Sequence, residues 1–269
     1  MTHLEAIIVG IVQGLTEFLP VSSSGHLVLS QELLGIDDPG VTFEVLAHVG
    51  TLLSVLIYFR LRLFEMTRSL FDATMKADRK LILLLIVGTI PAAVLGIAFK
   101  DLFEKAYENP VLVSGLLLVT GAILFLPRLI GDLGDREIDF KSALGTGFGQ
   151  ALAILPGISR SGSTIVTAML FRVKPAVAAE FSFLLSIPAI GGAAVFQVKD
   201  WLDDKKTGSI PANMDYWPYF SGALAAFVFG LLAIYTVLAA VRRGKFEHFA
   251  YYCFLAGVSG LIYFGLLRS

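Results

Sequence analysis

The sequence predicts an all-α integral membrane protein of about six transmembrane helices plus two re-entrant helical hairpins. Three observations carry that prediction. Of 269 residues, 56% are apolar and only 16% charged, against about 25% charged in soluble domains. Mean hydropathy is +0.77. Six separate segments are long and apolar enough to cross a bilayer of about 30 Å. The formal net charge of −1 gives no electrostatic footprint for nucleic acid. Cys253 is the single cysteine, which excludes an intrachain disulfide and a cysteine-based metal cluster.

Taken in order, the spans are expected at 41–60, 81–100, 111–127, 176–198, 218–241 and 249–267. Two further apolar stretches, 4–35 and 142–172, are broken near the middle by Pro, Gly and Ser. Each half is too short to cross at about 1.5 Å per residue. They read as hairpins whose tips must be buried in protein or line a wet cavity, because lipid cannot satisfy a free backbone. Residues 1–20 lack Lys or Arg ahead of the apolar run and carry Gln13 and Glu17 within it. They do not read as a cleaved signal. The stretches 60–80 and 200–206 read as loops.

Threading the spans with the 60–80 loop in the cytoplasm puts 14 of the 21 Lys and Arg residues on that side and 6 on the other. The remaining one, Arg160, falls at the second hairpin tip. This asymmetry orients the chain.

The hairpins resemble each other. Residues 13–26 read QGLTEFLPVSSSGH and residues 150–163 read QALAILPGISRSGS. Gln13 and Gln150, Ser22 and Ser159, Ser24 and Ser161, Gly25 and Gly162 all match. An acid beside a phenylalanine follows each unit, as Phe43-Glu44 and Glu180-Phe181. Three spans separate the hairpins, so the second unit is inverted relative to the first. In such architectures the repeat interface holds the site. The chain is expected to be one membrane domain over 1–269, with repeat units at about 4–60 and 142–198.

Brought together, the tips offer Glu17, His26, Arg160 and five serines. Ser22, Ser23 and Ser24, like Ser159 and Ser161, lie at helix starts, where free N–H groups favour anions and hydroxyls cap. Arg160 supplies a rigid fork for phosphate oxygens. Gly25 and Gly162 are expected to let backbone approach a ligand. Thr164 adds one more hydroxyl. Gln13 shares a helix face with Glu17, four residues away. Glu17 and His26 point to proton transfer, or to a loosely held divalent ion with Glu17 as its ligand. Ser23 and His26, one helical turn apart, suit a nucleophile and an acid–base partner. Spacing does not decide which of them attacks. Glu44 and Glu180 are expected to support the hairpins, and His48 to sit on a span.

EFLPVSSSGH at 17–26, PGISRSG at 156–162, TFEV at 42–45 and EFSFLL at 180–185 closely resemble the signature stretches of the undecaprenyl-diphosphate phosphatase family, also called bacitracin-resistance proteins. The similarity runs over essentially the whole chain. It implies removal of the terminal phosphate from undecaprenyl diphosphate, a prenyl lipid of cell-wall synthesis. It also implies bacitracin resistance, a site facing the outer side of the bacterial plasma membrane, dependence on a divalent cation such as Mg²⁺ or Ca²⁺, and a capacity to form homodimers. Carried over by position, the family's site residues are Gln13, Glu17, Ser23 and His26, with Ser159, Arg160, Ser161 and Thr164. Gln13 stands where the family allows Glu or Gln, which removes one charged candidate for a metal. A flippase or transporter of a prenyl-phosphate-like anion is the rival, since broken helices also suit alternating access.

Overall fold

The computed structural model describes residues 1–34, 40–131, 134–207 and 215–267. Local signals set the helix starts. Helix α1 (His3–Phe18) opens on a capping box of Thr2 and Glu5. It stops at Leu19, which is extended (ψ 140) because Pro20 follows. After a four-residue break, α2 (Ser23–Leu34) packs back against α1. The bent pair α3 (Gly40–Tyr58) and α4 (Arg60–Ser69) meets at 74°. Next come α5 (Lys76–Ala98), the short α6 (Lys100–Tyr107) and α7 (Pro110–Ile130), the last capped by Asn109 with Pro110 in its first turn. Asp139 and Ser142 form a capping box for α8 (Phe140–Leu152). A longer break holding Pro156 and Gly157 (φ +98) leads into α9 (Arg160–Leu170). The chain finishes with α10 (Pro175–Thr207), α11 (Trp217–Arg242) and α12 (His248–Ile262), which widens into a π turn at Tyr263–Leu267.

Among the described residues five helices, α5, α7, α10, α11 and α12, are long and apolar enough to span, or six if the bent α3–α4 pair is one span. The five coincide with five of the expected spans, and the expected span at 41–60 falls on α3. By contrast α1, α2, α8 and α9 have 16, 12, 13 and 11 residues, or about 16–24 Å at 1.5 Å per residue, short of the bilayer core.

Each hairpin lies on a span that follows the other stretch of its pattern: α1 on α11, and α8 on α5. Small residues make this possible. A Cβ at Gly10 or Gly14 would strike the backbone of Gly222 or Ala226, and one at Gly147 would strike Gly88. Close backbone approach substitutes for the hydrophobic drive that lipid removes. The main core cluster draws on both hairpins and on the spans around them and includes Phe18, Ile165, Phe183, Leu184 and Ile234, each fully buried. Phe18 and Phe183 meet edge to face at 5.9 Å.

Two expected loops are helical. The 60–80 segment contains α4, turned away from α3, whose Arg62 bonds Asp78 of α5 at 2.6 Å and Glu180 of α10 at 3.2 Å. Arg62 thus joins three helices, with Glu180 as its partner on α10. The 200–206 segment is the end of α10. It continues the long helix without a Pro or Gly to stop it, with Lys206 paired to Asp203 at 3.0 Å. Arg268, counted in the charge split, lies outside the described residues.

The α1–α11 contact gives a stability prediction. Gly10→Val should lower the thermal midpoint in detergent, corresponding to about 1–3 kcal/mol of overpacking. Gly115→Ala, where a Cβ meets nothing within 4 Å, should leave the midpoint within error. Scanning fluorimetry of both variants checks this.

Candidate functional site

The two breaks meet tip to tip, and their free backbone groups are satisfied within each tip, across to the other tip and by α7. Ser22 is the hub. Its Oγ accepts from Gly157 N of the other tip at 3.1 Å and from Gly25 N at 3.3 Å. Its carbonyl accepts from His26 N at 3.1 Å and His26 Nδ1 at 2.8 Å. Ser22 is held at φ +70, a left-handed conformation that costs a non-glycine residue about 1–2 kcal/mol. Four hydrogen bonds offset that strain. The second tip repeats the capping scheme: Ser159 Oγ accepts from Gly162 N at 3.1 Å. Ser161 Oγ donates to Leu19 O at 3.2 Å, closing the tips from the other side.

Glu17 and Arg160 join across this interface. Arg160 Nη2 donates to Glu17 Oε1 at 2.6 Å, with the side chains 14% and 8% exposed. Glu17 Oε2 accepts from Gln13 Nε2 at 3.0 Å and from Ser23 Oγ at 2.7 Å. Arg160 Nη1 is buried with no partner among the described residues. A donor in that position suits an anionic oxygen.

A cavity of about 190 Å³ opens on this cluster. Of the residues expected at the site, Glu17, Ser22, Ser23, Ser24, Ser159 and Arg160 line it. The rest take other positions. Gln13 is buried behind Glu17. Gly25 is not a ligand approach: a Cβ there would lie 3.0 Å from Gly157 Cα, so it serves tip-to-tip packing. Gly162 likewise abuts Leu124. Thr164 is fully buried, donating to Arg160 O at 2.7 Å and bonded to Ser182 at 2.6 Å. It orders the start of α9.

The Ser23–His26 pair expected from spacing is not formed. His26 Nδ1 must donate to the Ser22 carbonyl, which only accepts. Its Nε2 lies 2.8 Å from the Tyr252 hydroxyl, and the two rings stack at 5.5 Å. Neither does Glu17 orient His26. The carboxylate, not the imidazole, is bonded to the Ser23 hydroxyl.

Several lining or supporting residues escaped the sequence pattern. Thr16, His48 and Tyr107 line the cavity, beside apolar walls from Ala153, Ile158 and α10. Thr120, 1% exposed, clamps the second tip by donating to Gly157 O at 2.7 Å and accepting from Ser159 N at 3.0 Å. A lone buried threonine in an apolar span is the one signal that pointed to it. Glu44 accepts from Gln197 Nε2 at 3.3 Å.

Among the described residues no three of His, Cys, Asp and Glu come together as a metal cage. Among the described residues, Glu17 is the one carboxylate lining the cavity. One carboxylate with hydroxyls fits a hard cation that takes most of its ligands from phosphate oxygens and water. It does not fit a closed zinc site.

Removing the clamp tests the tip geometry. Thr120→Val leaves Gly157 O and Ser159 N without partners, at a cost of about 1–3 kcal/mol each. The variant should melt earlier in detergent and lose turnover in parallel, read by scanning fluorimetry and an activity assay on one preparation.

Residues 6–259 match the family described as bacitracin resistance protein BacA. The chain is 42% identical over 262 residues to the undecaprenyl-diphosphatase of Syntrophotalea carbinolica, covering 96% of this chain and 97% of that protein. It is 41% identical over 268 residues to the undecaprenyl-diphosphatase of Halothermothrix orenii, covering 99% and 100%. A relative in Desulfatibacillum aliphaticivorans with the same name is 40% identical, covering 97% and 99%.

Proposed function

The chain belongs to the bacitracin resistance protein BacA family and is an undecaprenyl-diphosphatase, and we propose that hydrolysis takes place in the cavity between the hairpin tips. It converts undecaprenyl diphosphate to undecaprenyl phosphate and inorganic phosphate. The comparisons lend no support to lipid transport. One observation carries the assignment of the site. Ser23 donates to a carboxylate whose other oxygen is held by Arg160, at the wall of a single cavity. Nucleophile, base and anion-binding fork converge there.

The terminal phosphate is held by Arg160, whose Nη1 is without a protein partner, and by the N-terminus of α9. Ser23 Oγ attacks phosphorus and passes its proton to Glu17 Oε2. The bond from phosphorus to the bridging oxygen breaks, and undecaprenyl phosphate departs. A phosphate monoester has a second pKa of about 6, so this leaving group needs no proton at neutral pH. Water then cleaves the phosphoserine and releases phosphate. Developing charge on the equatorial oxygens faces Arg160. His26, its ring tied to Ser22 O and Tyr252, fixes the first tip rather than attacking.

A divalent cation such as Mg²⁺ or Ca²⁺ would be held chiefly by phosphate oxygens of the substrate and by water, at the cavity wall that carries Glu17. When bound it neutralises charge on the diphosphate. The cavity is sized for the diphosphate head, which leaves the prenyl chain in the surrounding lipid. We place the site on the outer side of the plasma membrane. Tyr107 brings the α6 connection to the cavity wall, and that connection lies on the side poorer in Lys and Arg.

Phosphate release from a C15 or C55 prenyl diphosphate by purified protein tests this reading. Release should require Mg²⁺ or Ca²⁺ and stop with EDTA. Ser23→Ala, Glu17→Gln and Arg160→Ala should each reduce turnover by about 100-fold or more while eluting as the parent does. Full activity in Ser23→Ala would remove it as nucleophile.

A further inference from the structure

His48 lines the same cavity as Ser23 and Arg160, and its ring is oriented by a chain of hydrogen bonds. Glu44 on α3 is a carboxylate and, when ionised, only accepts. Gln197 on α10 must therefore turn its amide nitrogen toward Glu44, at 3.3 Å. That fixes the amide the other way round at its far side, where Gln197 Oε1 faces His48 Nδ1 at 3.2 Å. A carbonyl oxygen facing a ring nitrogen requires Nδ1 to carry the proton. In the neutral imidazole Nε2 then bears the lone pair, and it is the ring nitrogen left to serve the cavity. This is the arrangement of a general base: an imidazole whose tautomer is set by a hydrogen-bonded partner on its opposite side. It differs from His26, whose two ring nitrogens are both engaged away from the cavity.

The proposed phosphoserine route leaves a role open for such a base. Glu17 holds the proton taken from Ser23 after the first half-reaction, so it is not free to deprotonate water. We propose that His48 Nε2 is the base that activates the water hydrolysing the phosphoserine. Resting on the Ser23 reading, the step balances as follows. The water oxygen forms a bond to phosphorus as its proton passes to His48 Nε2. The bond from phosphorus to Ser23 Oγ breaks, and Oγ recovers the proton held by Glu17. Inorganic phosphate leaves, and the imidazolium returns its proton to solvent. His48 is thereby a catalytic residue of the second half-reaction, and Gln197 is the positioning residue that sets its tautomer.

The test is an acid-quench time course with a prenyl diphosphate labelled in its terminal phosphate, followed by peptide mapping. It uses the parent protein, His48→Ala and Gln197→Leu in the same detergent. In His48→Ala, the first turnover of prenyl phosphate should keep its rate, while label accumulates on Ser23 and decays on the order of 100-fold more slowly. Gln197→Leu should show the same split with a smaller effect, which a purely structural role would not produce. Label on Ser23 that decays equally fast in the parent and in His48→Ala overturns the inference and leaves the Ser23 reading standing. Equal slowing of both half-reactions also overturns it. Turnover without label on Ser23 in any of the three proteins overturns the Ser23 reading, and this inference with it.

Discussion

The ion pair between Glu17 and Arg160 is the interaction on which the site depends. Each group comes from a different hairpin, and the two are 143 residues apart in sequence. Each alone would be a buried charge in a membrane protein, which is costly enough that such groups are rare. Together, at 2.6 Å and with Gln13 and Ser23 bonded to the carboxylate, they are tolerated. Breaking such a pair from one side typically costs about 3–5 kcal/mol. The pair therefore ties the folding of the two hairpins together. The backbone adds to this coupling. Each tip caps its own helix start through Ser22 or Ser159, and the bonds from Gly157 N to Ser22 Oγ and from Ser161 Oγ to Leu19 O tie one tip to the other.

This coupling explains why a site for an anion contains a carboxylate. Glu17 lowers the net attraction of the cavity for a phosphate, yet it sets the guanidinium orientation and accepts from the Ser23 hydroxyl. One oxygen faces the arginine and the other the serine. In the proposed mechanism, anion recognition and proton acceptance thus share a single side chain. Around it, Ala153, Ile158, Ala189, Ile190 and Ala193 add an apolar wall to the polar lining of the cavity.

Much of this was legible in the sequence because it depends on local chemistry. Pro20 and Pro156 mark the breaks, and Ser22 and Ser159 mark the caps. The matched Ser-x-Ser-Gly stretches place Glu17 and Arg160 at one interface. What escaped depends on partners far away in sequence. His26 is three residues after Ser23, yet its ring folds back on the Ser22 carbonyl and reaches Tyr252, 226 residues on. Helical spacing predicted adjacency but not the competing acceptor at a left-handed residue. His48 looked like a span residue because Gln197, which orients it, is 149 residues away. Gly25 and Gly162 were expected to meet a ligand; they meet Gly157 and Leu124 instead, since the tips need close packing as much as a ligand does. The 200–206 segment is polar but holds no Pro or Gly to end the helix that enters it, so polarity alone misread it.

The most direct measurement is a structure of the protein with a prenyl diphosphate analogue whose bridging oxygen is replaced by methylene. The terminal phosphate is predicted between Arg160 and Ser23, with Ser23 Oγ in line with the bond from phosphorus to the bridging carbon. A head group bound elsewhere, with the cavity between the tips unfilled and the Glu17–Arg160 pair unchanged, would contradict the assignment of the site.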